Sequence, residues 1–573
     1  MIALDQFHCV ADISRYQAKV NGHRIAQIFE GRETTYSELD HRASQVANGL
    51  INAECAPGTR IGYLGKNSDY YFEIMSGSMK ANVVITGVNW RLAPPEIEYI
   101  LNNACIDILF VGAEFYDVIE QLMPNITSIR QFIAVDGGHS EWPDYCTWRD
   151  AQDSADPMLS IALDDDVLQL YTSGTTGHPK GVQLTNGNYL DVLDQAANGG
   201  WGDWDEGEAS IVAMPIFHVA GVNVGVVGLA QGLINVILKD VDPVVIIDLL
   251  EKYRIKYAFF VPAVILFLNS IPGVRDRDFS NLGFLLYGAS PISEDVLLTA
   301  KDIFKCDFCQ VYGLTETCGA GTILTPEDHN PALGKLRSCG KPAPTAEVRI
   351  YSEDGQTVPP NQVGEIAYRS KSLMKGYWKN DEATAKSIQN GWFYTGDAGY
   401  LDDDGYLYIH DRIKDMIVSG GENIYPAEVE NALFDHESVG DAAVIGVPDE
   451  KWGEAVKAII VLKPGATATE EDIIAHARSK IAGYKAPKSI DFTDVLPRNP
   501  SGKLLKRELR KPYWEGKERH INDRATLKVN LYMTPGTSTA SPSTNRGTYL
   551  NFPAAFSAYT YSELFNKRRH YSK

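Results

Sequence analysis

The stretch Tyr171-Thr-Ser-Gly-Thr-Thr-Gly-His-Pro-Lys-Gly181 crowds hydroxyls, glycines and a single lysine into one short segment. Thr172, Ser173, Thr175 and Thr176 can each donate to a phosphate oxygen, Gly174 and Gly177 let the backbone come close, and Lys180 brings the countercharge. That combination suits a triphosphate and points to ATP. The competing reading is a Ser/Thr/Gly-rich surface turn.

Three further clusters ask for related chemistry. Gln310-Val-Tyr-Gly-Leu-Thr-Glu-Thr317 follows an apolar stretch and places a ring, a glycine, a hydroxyl and a carboxylate in what reads as one short loop. There Tyr312 could cover a base, Thr315 could bond a phosphate oxygen, and Glu316 could hold a hard cation such as Mg2+; a solvent-facing glutamate after a turn is the alternative. Trp392-Phe-Tyr-Thr-Gly-Asp397 ends in a carboxylate after a turn, placed to accept from two vicinal ribose hydroxyls or to close an ordinary Gly-Asp turn. Arg412 is a second ribose or phosphate contact or a surface charge. Lys503, in Pro500-Ser-Gly-Lys503, follows a turn at the start of an expected helix, a lone cation on a loop.

The elements that would position the first loop are legible on either side of it. Val167–Leu170 and Val182–Leu184 read as short buried strands, and Thr185 as the cap of a helix carrying Leu190, Leu193 and Ala197. The loop is therefore expected to join two strands. That departs from a Walker loop, which opens directly into a helix with Ser or Thr after its lysine; here Pro179 precedes Lys180 and Gly181 follows it.

A chain of 573 residues has room for roughly four domain-sized units. A formal charge of -21 disfavours a nucleic-acid or anionic-membrane ligand, so any phosphate site must concentrate its cations locally. The first ten residues hold no basic run before an apolar run, and eight scattered cysteines suit a reducing compartment, so a cytoplasmic location is expected. Cys306 and Cys309 form a lone CxxC, read as two small buried residues on a strand rather than a metal or redox pair. Ala209 to Leu238 carries no formal charge, yet its one proline, its glycines and its amides fit a buried helix between apolar strands better than a membrane span.

Taken together and in this order, these motifs resemble the adenylate-forming superfamily of acyl-CoA synthetases, luciferases and peptide-synthetase adenylation domains. The resemblance runs over about residues 20 to 515. Asp411-Arg-Ile-Lys-Asp-Met-Ile-Val-Ser-Gly-Gly-Glu-Asn-Ile-Tyr-Pro-Ala-Glu-Val429 and Pro215-Ile-Phe-His-Val219 look most like fatty-acyl-CoA synthetases. It implies α/β and α+β architecture: a large N-terminal domain of stacked α/β subdomains with a small β-barrel (1–412), a small mobile α+β C-terminal domain (413–517), and a tail (518–573) expected to be disordered from its Ser/Thr/Pro/Gly content. It also implies site roles. Thr172 to Lys180 would grip the β- and γ-phosphates, Gly288, Ala289 and Ser290 with Gln310, Val311, Tyr312 and Gly313 would enclose adenine, and Asp397 and Arg412 would hold ribose. Glu316 would ligate Mg2+ and Lys503 would bridge carboxylate and α-phosphate. The small domain would turn about Lys414 to bring Gly420, Gly421 and Glu422 to the acyl-adenylate for attack by CoA.

The small domain itself reads as α+β, with Pro426 at a helix start, strands Ala442–Val447 and Ala458–Leu462, and a helix capped by Thr469 with Asp472. The resemblance places His218 beside the substrate carboxylate, although one histidine in an apolar run is also an ordinary core residue. Val261, Pro262, Gly288 and Ala289 are expected to wall an acyl pocket; small apolar residues fit an alkyl chain better than an ammonium. Lys485 and Trp452 read as surface charge and packing before CoA contacts. The expected partners are a fatty acid, ATP and CoA, with no nucleic acid and no membrane span; peripheral membrane contact and a homodimer stay open. The rivals are an aryl- or small-acid CoA ligase, a luciferase-like oxidation, or a non-catalytic acyl or nucleotide sensor. A nucleic-acid ligase is disfavoured by the absence of a Lys-x-Asp-Gly motif.

Overall fold

Short apolar runs separated by amphipathic helices lay down parallel strands with crossover connections, and two large sheets result. The computed structural model describes residues 6–172, 179–290, 292–352, 354–412, 415–419, 422–449, 452–498 and 504–515, apart from the side chains of 410–412, 418, 422 and 423. The chain divides into two units, Met1–Ile521 and Asn522–Lys573, and the second lies wholly outside the described residues.

The first sheet has seven strands, in the order Gly376–Tyr377, Lys180–Thr185, Asp166–Thr172, Val84–Gly87, Arg60–Leu64, Ile106–Gly112, Gln131–Val135. Its last five are parallel, and most of their residues are apolar and buried. The second has nine, in the order Lys341–Pro342, Thr322–Leu324, Asp307–Tyr312, Phe284–Gly288, Ile255–Phe260, Ala209–Val212, Ile234–Ile237, Ile25–Phe29, Arg32–Thr35. From Asp307–Tyr312 to Ile25–Phe29 it too is parallel.

One hydrophobic core joins the two sheets, running from Ile61 and Leu168 through Phe72, Val192, Leu193 and Val226 to Val212, Leu286 and Val311. The uncharged segment Ala209 to Leu238 folds as expected, into strand Ala209–Val212, helix Val219–Ala230 and strand Ile234–Ile237. Its glycines belong to this core: a Cβ on Gly225 would stand 2.2 Å from the Phe72 ring, so only glycine lets the two helices meet there. No helix among the described residues is long and apolar enough to cross a membrane.

A third, five-stranded antiparallel sheet occupies the place expected for the small barrel; it holds Glu347–Tyr351, Gly364–Arg369, Trp392–Leu401, Ile388–Gln389 and Leu407–Arg412. The fourth sheet builds the small C-terminal domain from Ile417–Ser419, Glu422–Ile424, Val439–Asp449, Gly453–Leu462 and Ser489–Phe492. Helix Pro426–Phe434 opens with proline at its first position, and Glu470–Lys480 opens with a Thr469/Asp472 capping box. The last described helix begins at Lys506, three residues beyond Lys503.

Candidate functional site

In an open parallel sheet the loops that leave the carboxyl ends of neighbouring strands converge on one edge, where ligands bind. Strands Asp307–Tyr312, Phe284–Gly288, Ile255–Phe260 and Ala209–Val212 are such neighbours. Glu316, Ser290, Val261 with Pro262, and His218 each lie within a few residues of those carboxyl ends. Four of the sequence-derived groups are thus delivered to the same edge.

The segment expected to bind phosphate is anchored on the first sheet. Thr172 ends its strand, Lys180 begins the next, and the antiparallel register sets the two opposite each other. Val167–Leu170 and Val182–Leu184 fall inside these strands, and Thr185 caps helix Asn186–Asn198, its side chain accepting from Asn188 N. The buried face of that helix is Tyr189, Val192, Leu193 and Ala196, while Leu190 and Ala197 are half-buried. Ser173, Gly174, Thr175, Thr176 and Gly177 lie outside the described residues.

Gln310 to Thr317 is not a single loop. Gln310, Val311 and Tyr312 finish a strand, because each has a ladder partner on Thr322–Leu324, and Thr315–Thr317 is a separate 3-10 turn. Nor does Glu316 face solvent: it is 8% exposed. Its Oε1 accepts from the Tyr377 hydroxyl at 2.9 Å and from Thr172 Oγ1 at 3.5 Å, the outer limit of a hydrogen bond. Lys180 Nζ stands 4.9 Å from the centroid of the same Tyr377 ring, a cation–π contact. Thr172, Lys180, Glu316 and Tyr377 therefore form one cluster. Tyr377 is the member that sequence reasoning missed. It pairs with Val182 on the short strand Gly376–Tyr377, and nothing in Lys375-Gly-Tyr-Trp378 announces a carboxylate partner 61 residues away.

The residues expected around adenine and ribose are equally local. Gly288 and Val311 are ladder neighbours, and a Cβ on Gly288 would fall 2.2 Å from the Val311 carbonyl oxygen. The next residue, Ala289, is exposed and left-handed at φ +68°, turning the chain off the sheet toward half-buried Ser290. Gln310 is buried, Gly313 half-buried. Tyr312 donates its hydroxyl to Asp397 Oδ2 at 2.8 Å.

Asp397 does not follow a turn between strands. It lies within the continuous strand Trp392–Leu401, opposite Arg412 in register, with its backbone N–H donating to Thr395 Oγ1. The turn-like signal of Gly396 is real in dihedral terms, φ +71°, and it accompanies a register irregularity at Ala398/Gly399 that the ladder absorbs as a bulge.

His218 ends the loop after Ala209–Val212 and caps helix Val219–Ala230 by position, without a side-chain bond. Its ring packs on Phe217 at 4.6 Å, and the buried Nε2 has no hydrogen-bond partner among the described residues. Burial pushes its pKa down to about 4, with the nearby Arg91 charge adding to the shift, so the imidazole is neutral near pH 7. Val261 and Pro262 are both buried, the proline at the first position of helix Pro262–Asn269.

Gly420, Gly421, Lys414 and Lys503 lie outside the described residues, as do the side chains of Arg412 and Glu422. Lys485 forms an ion pair with Glu428 at 2.6 Å and Trp452 is exposed. Cys309 is buried on its strand, and burial raises the thiol pKa of Cys306, just before the strand, to about 12, which leaves both unreactive. Among the described residues no three His, Cys, Asp or Glu side chains gather into a metal cage.

Comparison with known proteins accords with this geometry. The profile of the AMP-binding enzyme family matches residues 14–378, and that of the AMP-binding enzyme C-terminal domain matches residues 428–503. A fatty acid–[acyl-carrier-protein] ligase of Streptomyces coeruleorubidus is 37% identical over 90% of this chain and 99% of its own. A feruloyl-CoA synthase of an Amycolatopsis species is also 37% identical, over 87% of this chain and 97% of its own. Among solved structures, a fatty acyl CoA synthetase of Mycobacterium tuberculosis superposes with a TM-score of 0.71 at 31% identity, covering 90% of this chain and all of that one. With one family profile spanning most of the chain and a second on its small domain, the protein belongs to the AMP-binding enzyme family.

Proposed function

We propose that the protein joins a carboxylic acid to a thiol at the expense of ATP, with a fatty acid as the acid and CoA as the thiol. The observation that carries this reading is the convergence on one sheet edge of a buried carboxylate beside a lysine and a threonine hydroxyl, and of a neutral histidine whose Nε2 is buried without a partner. A carboxylate alone is a poor acylating agent because its leaving group would be oxide. Attack of its oxygen on the α-phosphate of ATP makes acyl-AMP and releases pyrophosphate; the thiol then attacks the acyl carbon, expels AMP and leaves a thioester. No covalent enzyme intermediate is needed.

In this reading Thr172, Lys180 and the intervening hydroxyls hold the β- and γ-phosphates. Gly288, Ala289, Ser290, Gln310, Val311, Tyr312 and Gly313 enclose adenine, the Gly288–Val311 contact keeping the wall thin. Asp397, steadied by Tyr312, accepts from the ribose hydroxyls with Arg412 at its side. His218 donates from or accepts at its buried, unpartnered Nε2, next to the acid carboxylate, and Val261 and Pro262 wall the acyl group. Lys503 stabilises charge developing between carboxylate and α-phosphate.

Glu316 suits Mg2+. It is a single hard carboxylate among hydroxyl donors, with Oε1 occupied and Oε2 without a partner among the described residues, and Mg2+ commonly takes one or two protein oxygens plus substrate phosphates. Bound there, the ion would neutralise phosphate charge.

We place the domain boundary between the last strand of the third sheet, which ends at Arg412, and the small-domain sheet, which starts at Ile417. Lys414 would be the pivot between residues 1–412 and 413–517, withdrawing Lys503 and presenting Gly420, Gly421 and Glu422 for the second step. An aryl acid is the second reading, favoured by the equal identity to a feruloyl-CoA synthase; a carrier-protein thiol is the corresponding alternative to CoA. Acids from acetate to oleate, with benzoate and ferulate, assayed for AMP and thioester with CoA and with a pantetheinylated carrier protein, separate them. Thioester from alkyl acids and CoA supports the proposal; thioester from aryl acids alone rejects the fatty-acid assignment.

A further inference from the structure

We propose that Tyr377 is a positioning residue for the metal–triphosphate site. It holds the Glu316 carboxylate by Oε1, which leaves Oε2 for the Mg2+ that would bind there, and it holds the Lys180 ammonium over its ring. The inference rests on the nucleotide reading above and deepens it.

Tyr377 is 7% exposed, and a buried phenol usually takes a hydrogen-bond partner; here the hydroxyl donates to Glu316 Oε1 at 2.9 Å. A charged acceptor makes this one of the stronger bonds a neutral donor can form. The ring meanwhile lies 4.9 Å from Lys180 Nζ. One side chain thus touches both the carboxylate and the cation.

The surrounding backbone makes a strap of the same segment. Met374 N donates to the Glu316 carbonyl at 2.8 Å, and Trp378 N donates to the Gly181 carbonyl at 2.7 Å, beside Lys180. Between them Gly376 and Tyr377 pair with Gln183 and Val182, and Tyr377 N donates to Thr384 Oγ1 at 2.9 Å. Glu316 is therefore fastened by main chain and side chain to the strand that Lys180 begins. Fixing one carboxylate oxygen fixes the direction of the other, as partners of metal ligands commonly do. A ring beside the ammonium gives it a resting contact that leaves the carboxylate free.

Tyr377→Phe removes the hydroxyl and keeps the ring; Tyr377→Leu removes both. The readout is ATP binding, followed as the ATP-induced rise in melting temperature while Mg2+ is titrated, with the ligand-free melt as the check on folding. Tyr377→Phe is expected to raise the Mg2+ needed for half the effect about tenfold, leaving metal-free ATP binding and the KM for the acid unchanged. Tyr377→Leu is expected to weaken metal-free ATP binding as well. Combined with Glu316→Gln, Tyr377→Phe should add no further change in Mg2+ demand, and this non-additivity is a readout that loss of packing would not mimic. Wild-type protein that binds ATP no better with Mg2+ than without overturns the nucleotide reading and this inference together. A wild type that does respond, matched by Tyr377→Phe across the titration, overturns the assignment of Tyr377 alone.

Discussion

The Tyr312 hydroxyl and Asp397 Oδ2 are joined at 2.8 Å although 85 residues separate them, linking the end of a strand in the nine-stranded sheet to the middle of a strand in the antiparallel third sheet. Asp397 is 4% exposed, so the bond orients a nearly inaccessible carboxylate. If Tyr312 covers the base and Asp397 binds the ribose, as proposed, the nucleoside lies between two sheets rather than on one.

Breaking that bond should be felt as nucleotide affinity. A hydrogen bond to a charged group contributes about 1.5–3 kcal/mol, so Tyr312→Phe should raise the KM for ATP about tenfold with little change in the KM for the acid. Steady-state kinetics with each substrate varied in turn checks it; an unchanged KM for ATP would show that Asp397 keeps its orientation without Tyr312.

Glu316→Gln keeps the shape of the side chain and removes its charge. If the carboxylate serves the metal and the phosphates, kcat for AMP formation should fall about 10²-fold or more, the scale typical of a lost electrostatic contact in a transition state. Wild-type rates in this variant, measured at saturating Mg2+, would exclude a direct role.

The region between these residues shows what a sequence can and cannot convey. The strands around Thr172 and Lys180, the Thr185 and Thr469 caps and the Pro426 helix start are local signals, set by residues within one turn of one another, and they appear where the pattern puts them. The pair Gly396-Asp397 reads from its neighbours as a turn, and only pairing with Gly364–Arg369 and Leu407–Arg412 carries the strand through it. The burial of Glu316 and the part of Tyr377 depend on a contact across two sheet-bearing segments, for which spacing along the chain holds no information.

His218 supplies a pH signature. Its pKa is lowered to about 4, and that of His329, buried between the Tyr287 hydroxyl and the Thr325 carbonyl, also falls to about 4, in both cases chiefly through burial. Both are neutral in the fold while the unfolded imidazoles titrate near 6.5. The native state then binds fewer protons, so the stability they contribute is complete above about pH 6.5 and is lost as pH falls toward 4. His218→Ala removes one of the two, and its denaturation midpoint should fall less steeply over that window than that of the wild type. Equal slopes would show that His218 is not held neutral. The same variant should raise the KM for the acid at pH 7.

Gly288→Ala tests the thin wall beside the proposed adenine position. The added methyl would fall 2.2 Å from a backbone carbonyl, which cannot swing aside as a side chain can. Overpacking of this kind typically costs about 1–3 kcal/mol, so a lower melting temperature and weaker ATP binding are expected together. Normal stability with normal ATP affinity would mean the two strands separate easily there.

The central claim is adenylation of an acid, and acid-dependent exchange of labelled pyrophosphate into ATP, with no thiol present, reads that step alone. Exchange is expected to require a carboxylic acid, to be strongest with alkyl acids and to be abolished in Lys503→Ala, while that variant still converts supplied acyl-adenylate and CoA to thioester. Tight ATP binding with no exchange for any alkyl or aryl acid would contradict it and leave a nucleotide-binding protein without the reaction.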